Sequence, residues 1–198
     1  MDNTVIVRRM DVPDWSAAEV LRLAHQPWLA PCAIEATAQV CHDGEALYVR
    51  MEAVEAEIRA TLTGPLDQVC NDSCLEFFFA PKADDPRYFN FEWNPLGNAY
   101  VGFGAERRTR VRQILKDPQG TFAPAPFRTE TGWGIEFRIP ASFIRLYMPD
   151  FALTGEAACN FYKCGDETKT PHYLAWSPLT SDAPDYHRRQ DFGRMILA

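Results

Sequence analysis

Apolar and polar residues alternate in short runs along most of this chain, and a period of two makes each run a strand with two unlike faces. Leu75, Phe77 and Phe79 point one way from a strand that Pro81 stops, with Cys74, Glu76 and Phe78 on the opposite face. From Tyr88 to Trp93 the pattern repeats: Phe89, Phe91 and Trp93 share one side, Tyr88, Asn90 and Glu92 the other. Asn94-Pro95-Leu96-Gly97-Asn98 turns the chain, and Tyr100 to Phe103 returns. Upstream, Trp28 to Cys41 is strand-like, His42-Asp43-Gly44-Glu45 is a turn signal, and Ala46 to Ala53 completes a hairpin. Ile58 to Leu62 reads as another short strand before Gly64-Pro65.

Downstream, Trp133 to Ile139, Ala157 to Lys163 and Phe192 to Leu197 are further strands, and Ala141 to Leu146 makes one or two helical turns. Ser16 with Glu19 is a capping box that predicts a short helix to about His25, where Pro27 ends it. Residues 105–126 read as loop and edge, residues 164–192 as a long polar loop. Many short strands with regular turns and only minor short helices predict an all-β fold, an antiparallel β-sandwich of the jelly-roll kind. At 198 residues and 46% hydrophobic, with no dividing linker, residues 1–198 form one domain with one core.

The charge balance narrows the partners. A net charge of −7 and a pI near 5.1 disfavour nucleic acid and anionic membrane surfaces. Arg107, Arg108, Arg110 and Arg112 are the only basic cluster, which reads first as a solvated loop or strand face. No apolar run has the length of a membrane span, and the N-terminus lacks the regions of a signal peptide. As written the chain is expected in the cytoplasm, or secreted if an export signal was trimmed. The six cysteines (Cys32, Cys41, Cys70, Cys74, Cys159, Cys164) are expected as reduced thiols, because a chain of this size needs no staples.

The polar strand faces and the later loop carry the candidate chemistry. Carbohydrates present apolar C–H faces and a rim of hydroxyls, which aromatic rings and planar polar groups complement. Trp176, in the loop after the Asn160 strand, is the expected aromatic platform; Trp15, Trp28 and Trp133 read as structural, and Trp93 as core. Asp72 and Glu76, Asn90 and Glu92, and Asn160, Tyr162 and Lys163, together with His172, are the expected ligand-binding groups. Asp166, Glu167, Asp182 and Asp185 are loop acids with oxygen donors suited to a structural calcium, though their spacing matches no calcium loop. Cys159, Cys164 and His172 form no recognised zinc motif. No catalytic motif is present; Glu76 with Glu92 as a glycosidase pair, and Cys164 with His172 and Asp166 as a thiol nucleophile and base, are the enzymatic readings. A haem or redox-ligand sandwich using His172, His187 and the cysteines is a further alternative, as is a protein-interaction module.

The segments DSCLEFFFAP, YFNFEWNPLGN, ACNFYKCGD, PHYLAWSP and DYHRRQDFG resemble a bacterial branch of the carbohydrate-binding module family 9-like proteins, from about Trp28 to the C-terminus. This resemblance implies non-catalytic recognition of sugars in a slot between two tryptophans, with structural calcium. It places Glu76 as the strand carboxylate on sugar hydroxyls, Trp176 as the second slot tryptophan, and Asn160 on the strand that supplies an amide. The first slot tryptophan would lie shortly before Asp72, where this chain reads PLDQVCN. It is absent, so the implied site is a one-sided platform or a site for a different ligand.

Overall fold

The computed structural model describes residues 3–198 and pairs the alternating runs in two sheets. The larger sheet has the order β1 (Thr4–Val7), β13 (Gly193–Leu197), β11 (Gly155–Cys164), β5 (Cys74–Ala80), β6 (Tyr88–Trp93), β7 (Ala99–Gly104) and β8 (Val111–Gln113). A further strand, β12 (Tyr173–Ala175), pairs with the far end of β11. The smaller sheet runs β2 (Leu21–Arg22), β3 (Glu35–His42), β4 (Ala46–Val54), β10 (Gly132–Pro140) and β9 (Ala125–Arg128). All pairings are antiparallel except β1 with β13. Two short helices, α1 (Pro118–Phe122) and α2 (Ala141–Arg145), pack on β10. The all-β sandwich that the alternation predicts is the fold.

The inner faces build a continuous apolar layer. Phe77 stacks on Phe161 with ring centroids 4.8 Å apart, and Trp93 meets Phe137 of the opposite sheet at 5.2 Å. Val49, Met51, Ile135 and Ile139 complete it from the smaller sheet. The outer face of β5 and its neighbours is covered as well, by the segment 176–192 and by residues around Trp28, so every residue of β5 is buried.

Local chemistry explains where the elements differ from expectation. No helix forms over residues 16–25. Asp14 accepts hydrogen bonds from Ser16 through its side chain and from the Ala17 and Ala18 amides through its carbonyl, while Gln39 of β3 donates to the carbonyls of Trp15 and Ala18. The chain is thereby held as a turn, and Leu21 and Leu23 then alternate into the core. Ile58–Leu62 is not a strand either: the Thr61 and Leu62 amides donate to the Asp72 carboxylate at 2.8 and 2.9 Å. A side chain has replaced the neighbouring strand as their partner. β8, the start of β9, and β12 come from segments read as loop; β1, from a segment to which the alternation assigned no element, pairs with the other end of the chain.

A polar knot crosses the core at one end. Glu55, just past β4, accepts from Trp133 Nε1 at 2.9 Å and from Ser73 Oγ at 2.8 Å, and its carboxylate lies 3.2 Å from Lys163 Nζ. His172 Nε2 sits 2.6 Å from the same ammonium, and His172 Nδ1 2.7 Å from the Thr170 carbonyl. Burial and the neighbouring Lys163 charge hold His172 down to about 4, so it is neutral at pH 7 and accepts from the ammonium. Lys163→Met should strand the Glu55 carboxylate without a cation and cost about 3–5 kcal/mol. Adding Glu55→Gln should recover much of that loss, read from urea denaturation of the single and double variants.

Candidate functional site

Strand register assembles the site. Glu76 of β5 lies directly opposite Glu92 of β6 on one side and Tyr162 of β11 on the other, and Cys74 lies opposite Cys164. All these side chains therefore share the outer face of the larger sheet, away from the phenylalanine layer. A pocket of 280 Å³ opens over them. Its floor holds Glu76, Glu92, Cys70 and Cys164; its walls are Trp28, Tyr100, Tyr173 and Tyr186; Arg107, Arg110, Asp166 and Asp185 stand round it with Gln68 and His187.

Each wall has a local cause. The His25 and Ala175 backbones exchange hydrogen bonds of 2.9 and 3.0 Å, which brings the incoming chain across β12 and sets down Trp28. The indole packs against Tyr173 and Tyr186, both at 5.5 Å, and its Nε1 donates to the Ser181 carbonyl. Tyr186 stacks on Tyr162 with centroids 4.0 Å apart, and its hydroxyl donates to the Lys163 and Leu174 carbonyls. On the other side Arg112 lies over the Tyr100 ring at 4.2 Å. Arg110 reaches back against His187 across Gly102, where an added Cβ would stand 2.5 Å from Asn90 Oδ1 and 3.2 Å from Arg110. Gly102 is thus small because Asn90 and a guanidinium cross over it.

The floor is electrostatically loaded. Glu76 and Glu92 are 3% and 5% exposed, and among the described residues neither forms an ion pair. Cys164 Sγ donates to Glu76 Oε1 at 3.0 Å, and Asn90 Nδ2 donates to Glu92 Oε1 at 2.7 Å. Burial, followed by the repulsion of Glu92, raises the Glu76 carboxyl well above the usual range. Burial likewise lifts Glu92 to about 7, against the pull of Arg110. Burial and the two arginines hold His187 neutral, down at about 2. Near neutral pH the floor therefore offers carboxyl groups that donate as well as accept hydrogen bonds.

The expected site residues divide sharply. Glu76 and Glu92 meet in the pocket, with Asn90 behind Glu92 and Tyr162 buried beneath Tyr186. The remaining five do other work. Trp176 is a correction: it is 6% exposed, packs against Phe161 in the core, and fills the space over Gly193, where an added Cβ would meet the indole at 2.5 Å. It presents no face to a ligand. Asn160 is also buried; its amide exchanges hydrogen bonds with the Ser177 backbone at 2.9 and 3.1 Å, and so ties down the start of the 176–192 segment. Asp72 is fully buried, accepting from Thr61, Leu62, Asn94 and Arg59. Lys163 and His172 belong to the knot in the core, because alternation turns Lys163 inward from Tyr162.

The alternative chemistries fare similarly. Both His172 nitrogens are engaged, and the His187 Nδ1 lies 2.9 Å from the Tyr88 hydroxyl. Glu167 pairs with Arg59 and Asn71, and Asp185 accepts from the His187 amide. All six cysteines are free thiols. Among the described residues no helix is long and apolar enough to cross a membrane.

With this geometry in view the likeness to known proteins is informative. The profile of carbohydrate-binding family 9 matches residues 25–197. The chain belongs to carbohydrate-binding family 9. A presumed carbohydrate-binding protein from Bacteroides uniformis ATCC 8492 is 28% identical, with 99% of each chain covered and a TM-score of 0.86. Two structures of a family 9 module from Caldicellulosiruptor kristjanssonii share the fold. The one with cellotriose is 12% identical, with a TM-score of 0.68 over 98% of this chain and 93% of its own. The one with glucose is 13% identical, with a TM-score of 0.69 over 99% and 96%. No curated protein matches the chain.

The pocket also holds groups that strand alternation did not mark. Trp28, Tyr100, Tyr173, Tyr186, Arg107 and Arg110 all line the pocket. Trp28 was read into the strand-like run to Cys41, but β3 begins only at Glu35; its place between Pro27 and Pro31, which interrupt a strand, was the signal that could have found it.

Two outcomes follow from the floor and its supports. Asp72→Ala leaves Arg59 and two backbone amides without their acceptor and should cost about 3–5 kcal/mol, measured by urea denaturation. The raised carboxyls set the sign of the pH dependence. Below 4.5 both folded and unfolded states keep the Glu92 proton; between 4.5 and about 7 only the folded state keeps it, so stability falls as pH rises. In chelator-treated protein the urea midpoint should decline from pH 5 to pH 8, and Glu92→Gln should flatten that decline.

Proposed function

We propose that the pocket beneath Trp28 binds a carbohydrate and leaves it chemically unchanged. The observation that carries this reading is the half-buried indole of Trp28, set with Tyr173 beside a floor of two carboxyls and a rim of guanidinium groups. An aromatic wall suits the C–H face of a pyranose, and the floor and rim can satisfy its hydroxyls. The B. uniformis relative and the sugar-bound C. kristjanssonii modules support a saccharide as the ligand class. At 280 Å³ the cavity lies near the lower end of small-molecule sites, about 300–1,000 Å³, which suits a short saccharide or a chain end.

The carboxyl arrangement argues against glycoside cleavage. Glycosidase acids flank the scissile bond from opposite sides of the sugar. Glu76 and Glu92 instead stand side by side at one register position of adjacent strands, on the floor of the pocket. Both would reach the same side of a bound ring.

Calorimetry with glucose and cello-oligosaccharides tests the proposal. Trp28→Ala should weaken binding by about tenfold, since an aromatic face contributes about 0.5–1.5 kcal/mol beyond its buried area. Trp176→Phe, a core change, should leave the affinity of the folded fraction unaltered. No heat with any member of a broad panel of neutral, acidic and amino sugars would sink the reading. Sugar turnover seen by mass spectrometry would overturn the non-catalytic part.

A further inference from the structure

Beneath the pocket lies a set of groups that sugar binding does not explain. Cys74 and Cys164 face each other at one register position of β5 and β11, and Glu76 follows Cys74 by two residues on the same face. Both sulfurs and a Glu76 oxygen lie within 4.8 Å of one another. All three residues are buried, and among the described residues this is the one group of three or more metal-ligating side chains placed so closely. We propose that Cys74, Cys164 and Glu76 form a binding site for a thiophilic transition-metal ion, with Zn²⁺ as its simplest occupant.

Geometry and donor chemistry point the same way. Zinc–sulfur bonds of about 2.3 Å and zinc–oxygen bonds of about 2.0–2.2 Å place tetrahedral donors roughly 3.5–3.8 Å apart. The three atoms are already near that spacing, so closure needs only small side-chain rotations. Two sulfurs and one oxygen favour zinc or a similar ion over calcium or magnesium, which take oxygen. The backbone holds the donors rigidly, because they come from two paired central strands and not from loops.

Charge supplies the second, independent argument. Burying an acid group without an ion pair is costly, and among the described residues Glu76 has none: a thiol and the opposing Glu92 are its immediate neighbours, with Arg110 farther out in the same pocket. The Lys163 ammonium is spent on Glu55 through the other face of β11. A divalent ion between the two sulfurs and Glu76 would take the place of the protons these buried groups hold and supply positive charge to them together. Glu76 and Cys164 line the pocket whereas Cys74 does not, so the fourth coordination position would face the cavity, open to water or to a ligand oxygen.

The test uses reduced, chelator-treated full-length protein. Zinc titrated in competition with a chromophoric chelator should bind with one equivalent per chain. Cobalt should give sulfur-to-metal charge-transfer absorption in the near ultraviolet, with visible bands of a tetrahedral site. Cys74→Ala and Cys164→Ala should each weaken zinc by more than the roughly 100-fold that loss of an outer-shell partner reaches. Cys41→Ala and Cys159→Ala, which remove buried thiols elsewhere, should leave binding unchanged. Wild-type protein that takes up no zinc, or cobalt that binds without the thiolate band, overturns the proposal irrespective of how any variant folds. Persistence of that band in a folded Cys164→Ala protein does the same. Sugar calorimetry on the chelated protein reads the carbohydrate proposal separately, so either can fail alone.

Discussion

Everything at this site depends on the register of β5 against its two neighbours. The pleat puts Phe77 between the sheets and Glu76 outside them, and pairing puts Glu92, Tyr162, Cys74 and Cys164 around that carboxyl. A slip of one residue would send Glu76 into the phenylalanine layer and Phe77 into the pocket. The stacked rings of Phe77, Phe161 and Phe91 prevent it, since they interlock only in the observed pairing. The hydrophobic core thus does more than stabilise the sandwich. It aims the chemistry on the opposite face.

The two faces handle buried charge in contrasting ways. Inside, the Glu55 carboxylate accepts from Trp133 and Ser73 and meets the Lys163 ammonium, so its charge is matched and its oxygens are satisfied. Such a knot costs desolvation and returns a fixed geometry between β4, β10 and β11. Outside, Glu76 and Glu92 are almost as deeply covered but, among the described residues, form no ion pair. Burial of unmatched acid groups opposes folding, and a fold retains them where a ligand supplies what the chain does not. That asymmetry separates the polar groups of the core from those proposed to meet a ligand better than residue type does.

How much of this could be read in advance varies with the physics of each part. The strands of β4, β5, β6, β10 and β11 were legible because their inward faces are apolar, Lys163 near the end of β11 excepted, and Glu76 and Glu92 followed from the same alternation. The capping box at Ser16 misled because Asp14 and Gln39, both distant from it in role, claimed the backbone first. Trp176 misled in a different way. Its polar neighbours suggested exposure, yet they are polar because Asn160 binds the Ser177 backbone and seats the segment against the sheet. A contact across about 150 residues, such as the bond from the Trp28 indole to the Ser181 carbonyl, leaves no local trace in composition.

The contrast between Trp28 and Trp176 shows what decides whether an indole is free to serve as a platform. Trp176 follows β12 directly, and Gly193 of the neighbouring β13 leaves a hollow that its ring fills from within the core. Trp28 comes from an irregular stretch on the outer side, where its nitrogen is fixed by the Ser181 carbonyl and its ring is braced by Tyr173 and Tyr186. Its hydrogen-bonding need is met at the edge, so the rest of the ring stays free to meet a ligand. The same bond ties Trp28 to the 176–192 segment, which Asn160 and Tyr162 fasten to β11. The wall of the pocket and the cover of the sheet are therefore one mechanical unit. Loosening Asn160 would disturb the ligand surface without touching a ligand, which is how a buried amide can matter to recognition while lying outside the pocket.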